Sequence, residues 1–345
     1  MAYTTINKST DYFNTKLYTG NGSTQSITGV GFQPDWVWTK QRSGTEHHNS
    51  NDAVRGATKV IFPNLTNAEQ TVSNLITGFV SDGFSVGDNA GANNNGSTYA
   101  SWNWKAGGSA SSNTDGSITS SVSANTTAGF SIVSYTGNAT DGATVGHGLG
   151  AVPDMLIGKD LSDTSGWGVW HKDLTNAGYK LSLNTTDGQA DDSALFGGSS
   201  RTAPTSSVFT LGSGGGLNGS NANIVYAFTS ITGYSKFGSY TGNGNADGSF
   251  CYLGFKPAWV MLKKTNNTES WLIMDNKRQG YNPENEYLIA DLNNAEGTPN
   301  HIDLLSNGFK LTSTGGGFNG SGDTFIYMAF GQSIVGSNNV PCTAR

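Results

Sequence analysis

Cysteine, proline and charge are all scarce in this chain of 345 residues. Only Cys251 and Cys342 are present, with no Cys-x-x-Cys pair, so neither a disulfide framework nor a zinc site is expected. Cys251 reads as a small buried hydrophobe and Cys342 as part of a tail. Eight prolines are too few for a proline-rich linker. Charged residues make up 13%, against a usual share of roughly a quarter. The net charge is −6 and the pI about 5.3, which leaves no basic stripe for nucleic acid. No run approaches the roughly 18 apolar residues of a membrane span. The opening MAYTTINKSTDYF lacks the apolar stretch of a secretory signal, so neither secretion nor membrane insertion is expected. GxSxG, HExxH, P-loop and EF-hand patterns are missing as well. No catalytic residue, metal ligand or cofactor is therefore expected, and the chain reads as a non-enzyme.

What is abundant is glycine, at 48 residues, and it carries no three-residue period. It clusters with Asn, Ser, Thr and Asp in stretches such as GNGST, DNAGANNNGS and GGGFNGSGD. These are turn compositions, because Gly and Asn accept positive φ and Asn, Asp and Ser bond nearby backbone. Between the turns lie 8 Trp, 13 Tyr and 16 Phe, which suit strands. Aromatic strands joined by neutral polar loops indicate an all-β protein.

One pattern recurs three times. Tyr18-Thr19-Gly20-Asn21, Tyr135-Thr136-Gly137-Asn138 and Tyr240-Thr241-Gly242-Asn243 open the copies. Each then reaches a proline and an apolar strand ending in lysine: Pro34 to Lys40, Pro153 to Lys159, Pro257 to Lys263. A later Phe follows (Phe84, Phe209, Phe309), and Tyr99, Tyr226 and Tyr327 open the closing strand. Tyr-to-Pro intervals of 16, 18 and 17 residues keep the anchors in step. The copies start 117 and 105 residues apart, too far for a solenoid repeat and right for a sandwich of about 100 residues. The expected fold is three tandem antiparallel β-sandwich domains, jelly-roll or lectin-like. Residues 1–107 form the first with an N-terminal docking segment, 128–232 the second, and 233–335 the third. Residues 108–127 read as a Gly/Ser-rich linker with strand character at 117–123, and 336–345 as a C-terminal tail.

Trp36-Val37-Trp38 and Trp259-Val260-Met261-Leu262 read as strands buried on both faces, or on one face plus an interface. The best helical stretch is Thr66–Leu75, with a further turn near Asn293–Glu296. Both contain Asn-Ala-Glu, at Asn67-Ala68-Glu69 and Asn294-Ala295-Glu296, and read as a short helix or a loop.

His47-His48 is an adjacent pair whose side chains face opposite ways on a strand, and His171 has no counterpart in the other copies. Asp191-Asp192 is not set apart as a hydrolytic pair, and Gly214-Gly215-Gly216 and Gly315-Gly316-Gly317 read as turns. The sequons at Asn21, Asn64 and Asn266 carry no weight without a secretory signal. Sugars bind through aromatic faces with amides and carboxylates nearby, which makes Trp167, Trp170 and Trp271 the candidate glycan contacts. The alternative for all three is a place in the core.

Several segments carry a family resemblance. The opening through Gln33-Pro34-Asp35-Trp36-Val37-Trp38, Val54-Arg55-Gly56-Ala57-Thr58-Lys59, and Ala100-Ser101-Trp102-Asn103-Trp104-Lys105 resemble a repeated module of marine bacteriophage virion proteins, of cyanophage and pelagiphage type. So do Gly254-Phe255-Lys256-Pro257-Ala258-Trp259-Val260, Asp275-Asn276-Lys277-Arg278 and Ile326-Tyr327-Met328-Ala329-Phe330. The middle copy lacks the VRGATK and DNKR segments. The resemblance implies a virion structural protein, often a tail fibre, and supplies no catalytic residue. Expected partners are other virion proteins, further copies in a homo-oligomer (a trimer for a fibre), and a host surface glycan. A capsid decoration or head-fibre protein is the first alternative. A carbohydrate-binding module or polysaccharide-degrading enzyme is the second.

Overall fold

The computed structural model describes residues 4–279, 282, 286–298 and 301–333. The expected tail at 336–345, with Cys342, lies outside the described residues. Twenty-seven strands and only three helical turns, Ser9–Asp11, Ala90–Asn93 and Gly316–Asn319, are found among them. Every strand pairing is antiparallel.

Each copy contributes one large and one small sheet. The first large sheet runs Phe13–Thr19, Thr98–Trp104, Trp36–Gln41, Asn49–Asp52. The third runs Ser235–Thr241, Thr324–Gly331, Pro257–Lys264, Leu272–Asp275, Tyr287–Ile289. The second has the same central strands, Phe130–Thr136, Ala222–Phe228, Met155–Asp160 and Gly168–His171, and continues at both edges. The small sheets centre on Gly83–Val86, Val208–Thr210 and Gly308–Leu311.

The large sheets are buried on both faces because alternate residues point opposite ways. One face packs on the small sheet of the same copy: Val37 with Ile27 and Phe84, Leu156 with Phe209, Val260 with Phe309. The other faces of all three large sheets meet in a single central core. Trp36, Trp38, Trp102 and Trp104 from copy one join Phe130, Met155, Tyr226 and Phe228 from copy two and Trp259, Met328 and Phe330 from copy three. The rings touch across copies, with Trp36 and Tyr226 stacked at 4.2 Å and Phe13 and Phe330 at 4.8 Å. Neither face of the large sheet in copy one, two or three is thus free, and the copies are not beads on a string.

The Gly/Ser-rich stretch supplies strands Ser111–Asn113 and Ser120–Asn125 to the second large sheet. Ser120–Asn125 pairs along Phe130–Tyr135 and buries Val122 beside Val133. The matching edges of the first and third sheets are uncovered and carry Lys16 and Lys236 instead, a common guard against edge-to-edge pairing. The Thr66–Leu75 stretch is not a helix: it holds the short strand Gln70–Thr71 and turns. Asn293–Glu296 is irregular. Both segments are held by tertiary contacts described below.

Candidate functional site

The repeated Tyr-Thr-Gly-Asn motif has a packing cause. A Cβ on Gly20, Gly137 or Gly242 would fall 2.2, 2.0 or 2.3 Å from the carbonyl oxygen of Asn94, Gly219 or Gly320. That close approach seats the following turn on a fully buried asparagine, at Asn93, Asn218 and Asn319. In each copy its Oδ1 accepts from the next backbone N–H, of Asn21, Asn138 or Asn243, at 2.9–3.0 Å. Its Nδ2 donates to loop carbonyls such as Gly87 O, Thr140 O and Ser313 O. The asparagine was legible only as loop composition, yet it is the residue that fixes the loop.

Strand register identifies three further sets of equivalent positions at the joints between copies. His48, Trp167 and Trp271 form the first. His48 Nε2 bonds Ile289 O at 2.8 Å, Trp167 Nε1 donates to Phe62 O at 2.9 Å, and Trp271 Nε1 donates to Ser182 O at 2.9 Å. Copy one thus bonds copy three, copy two bonds copy one, and copy three bonds copy two. His48 Nδ1 accepts from Trp38 Nε1, which fixes the proton on Nε2, and burial lowers its pKa to about 3. A second ring runs through backbone: Glu69 N–H donates to Leu161 O, Gln189 N–H to Thr265 O, and Glu296 N–H to Arg42 O. It closes the same cycle.

The third set is Asp52, His171 and Asp275. Tyr226 OH donates to Asp52 Oδ2 at 2.8 Å, and Trp102 Nε1 to Asp275 Oδ2 at 3.0 Å, both across copies. Each carboxylate also takes the Nε–H of a buried arginine, Arg55 or Arg278. Those arginines reach on to Glu69 and Glu296, which explains why Asn-Ala-Glu recurs. In copy two the position is His171, and its Nε2 has no hydrogen-bond partner of normal geometry, while Met328 in copy three holds the register place of Trp102 and Tyr226. Burial lowers its pKa to about 4. The lysines that end the repeated strands, Lys40, Lys159 and Lys263, are buried and donate to loop carbonyls: Gly44 O at 3.0 Å, Asp163 O at 3.1 Å and Thr186 O at 2.8 Å. Burial lowers each pKa to about 8.

These placements correct the glycan-contact expectation. Trp167 and Trp271 are fully buried ring-joint residues, and Trp170 lies in the core of copy two beside Leu195 and Phe196. None offers a ring face to a sugar, because Trp167 and Trp271 are buried in the shared core and Trp170 in the core of copy two. Asp191 and Asp192 pair with Arg201 and Lys180. Cys251 is buried, with its thiol pushed up to about 12. Among the described residues no cluster of three or more His, Cys, Asp or Glu is placed to hold a metal ion.

Concavities lie elsewhere, at the Asp35–Asn125 junction, beside Phe13 and Gly331, and in the third copy. A cavity of about 290 Å³ opens between the edge strand Tyr287–Ile289 and the loop through Gly317-Phe318. Tyr287, His301 and Phe318 line it, with ring centroids 5.2 and 5.3 Å from the imidazole. Glu269, Ser270 and Ser313 supply polar groups. The other surface feature is a pair of exposed aromatics, Phe250 and Tyr252, 46% and 57% exposed on the outer face of the third small sheet.

The fold therefore defines an all-β protein in which three repeats of paired antiparallel sheets close around one aromatic core. A family model described as a domain of unknown function, DUF7483, matches residues 8–333, and the chain belongs to that family. The match spans all three repeats as one unit, as a closed ring of joints requires. No curated protein and no solved structure matches the chain.

Proposed function

We propose that this chain is a structural protein of a bacteriophage particle, a tail-fibre or appendage component that works by assembly and host-surface contact and not by catalysis. Each repeat is then a β-sandwich unit of jelly-roll or lectin-like type. The observation that carries the reading is the closed ring of inter-repeat joints around a shared core. It makes a rigid framework whose recurring polar joints are spent on architecture, under a neutral Gly/Asn/Ser/Thr surface that salt hardly affects. The phage-module segments in copies one and three support the same reading: their Arg55 and Arg278 hold the joint carboxylates Asp52 and Asp275. Contacts with other virion proteins, or with further chains in a symmetric oligomer such as the expected trimer, would use the outer faces, since the inner ones are consumed within the chain.

The test is immunogold labelling of intact particles with an antibody to this chain. Gold on the tail supports the fibre reading. Gold on the capsid moves the protein to a decoration role. Particles without label, while the antibody binds disrupted ones, leave an internal role and refute host contact; no label in either state refutes the virion reading.

A further inference from the structure

We propose that the cavity of the third repeat is a binding site for one sugar ring. The assignment deepens the host-contact reading and rests on it. At about 290 Å³ the cavity sits at the low end of ligand sites, which run to roughly 300–1,000 Å³, and so suits a single ring over a chain of them. Its wall is aromatic and its rim polar. Tyr287, half-buried, offers apolar surface to the C–H face of a pyranose, Phe318 forms the buried floor, and Ser270 and Ser313 are hydroxyl partners. Glu269 is the acceptor for the sugar hydroxyls. Its Oε1 takes the Ser270 N–H, and among the described residues it forms no ion pair, which leaves Oε2 toward Gly317.

The glycine run is part of the site. A Cβ on Gly317 would lie 2.9 Å from Glu269 Oε2, so a side chain there would displace the carboxylate. Gly317 does not occupy the positive-φ region, so its backbone does not demand glycine. The set is complete in one copy only. Phe318 precedes the pinning Asn319 as Ala92 precedes Asn93 and Leu217 precedes Asn218. Glu269, two residues before Trp271, corresponds to Glu46 and Ser165. Only the third repeat combines the acid with an aromatic ring. His301 completes the wall as a neutral imidazole, its pKa lowered by burial.

The test is saturation-transfer NMR on the full chain with glucose, galactose, mannose and N-acetylglucosamine, followed by titration of any that bind. At least one is expected to receive saturation. Glu269→Gln and Gly317→Ala are each expected to weaken it tenfold or more, with an unchanged melting curve. A Phe250→Ala/Tyr252→Ala double variant should bind as the parent does. Absence of signal from all four sugars overturns the assignment, as does binding that survives both pocket variants or is lost in the double variant. Glu269→Gln keeps the side chain's shape and an oxygen for the Ser270 N–H but replaces the free acceptor Oε2 with an amide donor, so it remains informative if Gly317→Ala fails to fold. Particle labelling is independent: labelled virions without sugar binding refute the pocket alone, and sugar binding without labelled virions refutes the virion reading alone.

Discussion

Tyr226→Phe removes a single oxygen from the joint between copies two and one. Tyr226 OH donates to the fully buried carboxylate of Asp52 at 2.8 Å and lies 3.3 Å from an Arg55 nitrogen. Asp52 keeps the Arg55 Nε–H and the backbone N–H groups of Val54 and Arg55, so no charge is orphaned. The main loss is the short hydrogen bond to the charged Asp52, about 2 kcal/mol, since the longer contacts leave Arg55 Nη2 bonded to Ser50 O and Ser50 Oγ bonded to Trp36 Nε1. How far that moves the melting point depends on the size of the unit that melts. Unfolding entropy is roughly 2.1 cal/mol/K per residue, so a cooperative unit of the whole chain shifts by about 3 °C. A self-standing sandwich of about 100 residues would shift by about 9 °C, and only one of three transitions would move. Circular dichroism melts of parent and variant separate the two cases. A shift near 9 °C confined to part of the amplitude would refute the shared-core argument. Met328 supplies the control, since it holds the register place of Tyr226 without a hydrogen-bonding group, and Met328→Leu should cost less than about 1.5 kcal/mol.

Three further outcomes follow from the same geometry. Asn319→Ala strands the Asn243 N–H and the carbonyls of Asn245 and Ser313, and should destabilise the chain by about 3 kcal/mol in urea titrations. Ala139 sits at φ 57° where the equivalent Gly22 and Gly244 have φ 69° and 68°, so Ala139→Gly should stabilise by about 0.5 kcal/mol, read as a higher urea midpoint. Lys40, Lys159 and Lys263 have folded pKa values near 8 against 10.5 when unfolded. Between those values the unfolded chain binds more protons, so their contribution to stability rises from pH 8 toward 10, and buried tyrosines with raised pKa values reverse the trend above 10. Urea midpoints of Lys159→Met against the parent across pH 7–10 would show a flatter slope for the variant.

The strands and turns were legible because alternation and Gly/Asn clusters are local signals, and the repeat because its anchors recur in order. Trp36-Val37-Trp38 was readable as doubly buried, but periodicity does not say what covers each face. The joints were hidden for a different reason. Their positions repeat while their residues do not: His48, Trp167 and Trp271 do one task, and Asp52, His171 and Asp275 occupy one place. Asn-Ala-Glu was the visible trace of that ring, readable only as a short helix or a loop because the backbone bond from Glu69 to Leu161 is made at long range and the one to Arg55 by side chains across a turn. The stretch at 120–125 was readable only as linker with strand character because its one buried apolar residue, Val122, is isolated in sequence. The aromatic candidates failed as glycan contacts because composition does not distinguish a ring that faces a sugar from one that faces another repeat.

Differential scanning calorimetry of the intact chain tests the central claim most directly. One core shared by three repeats predicts a single transition whose calorimetric and van't Hoff enthalpies agree. Two or three separable transitions, each with the enthalpy of about 100 residues, would contradict it.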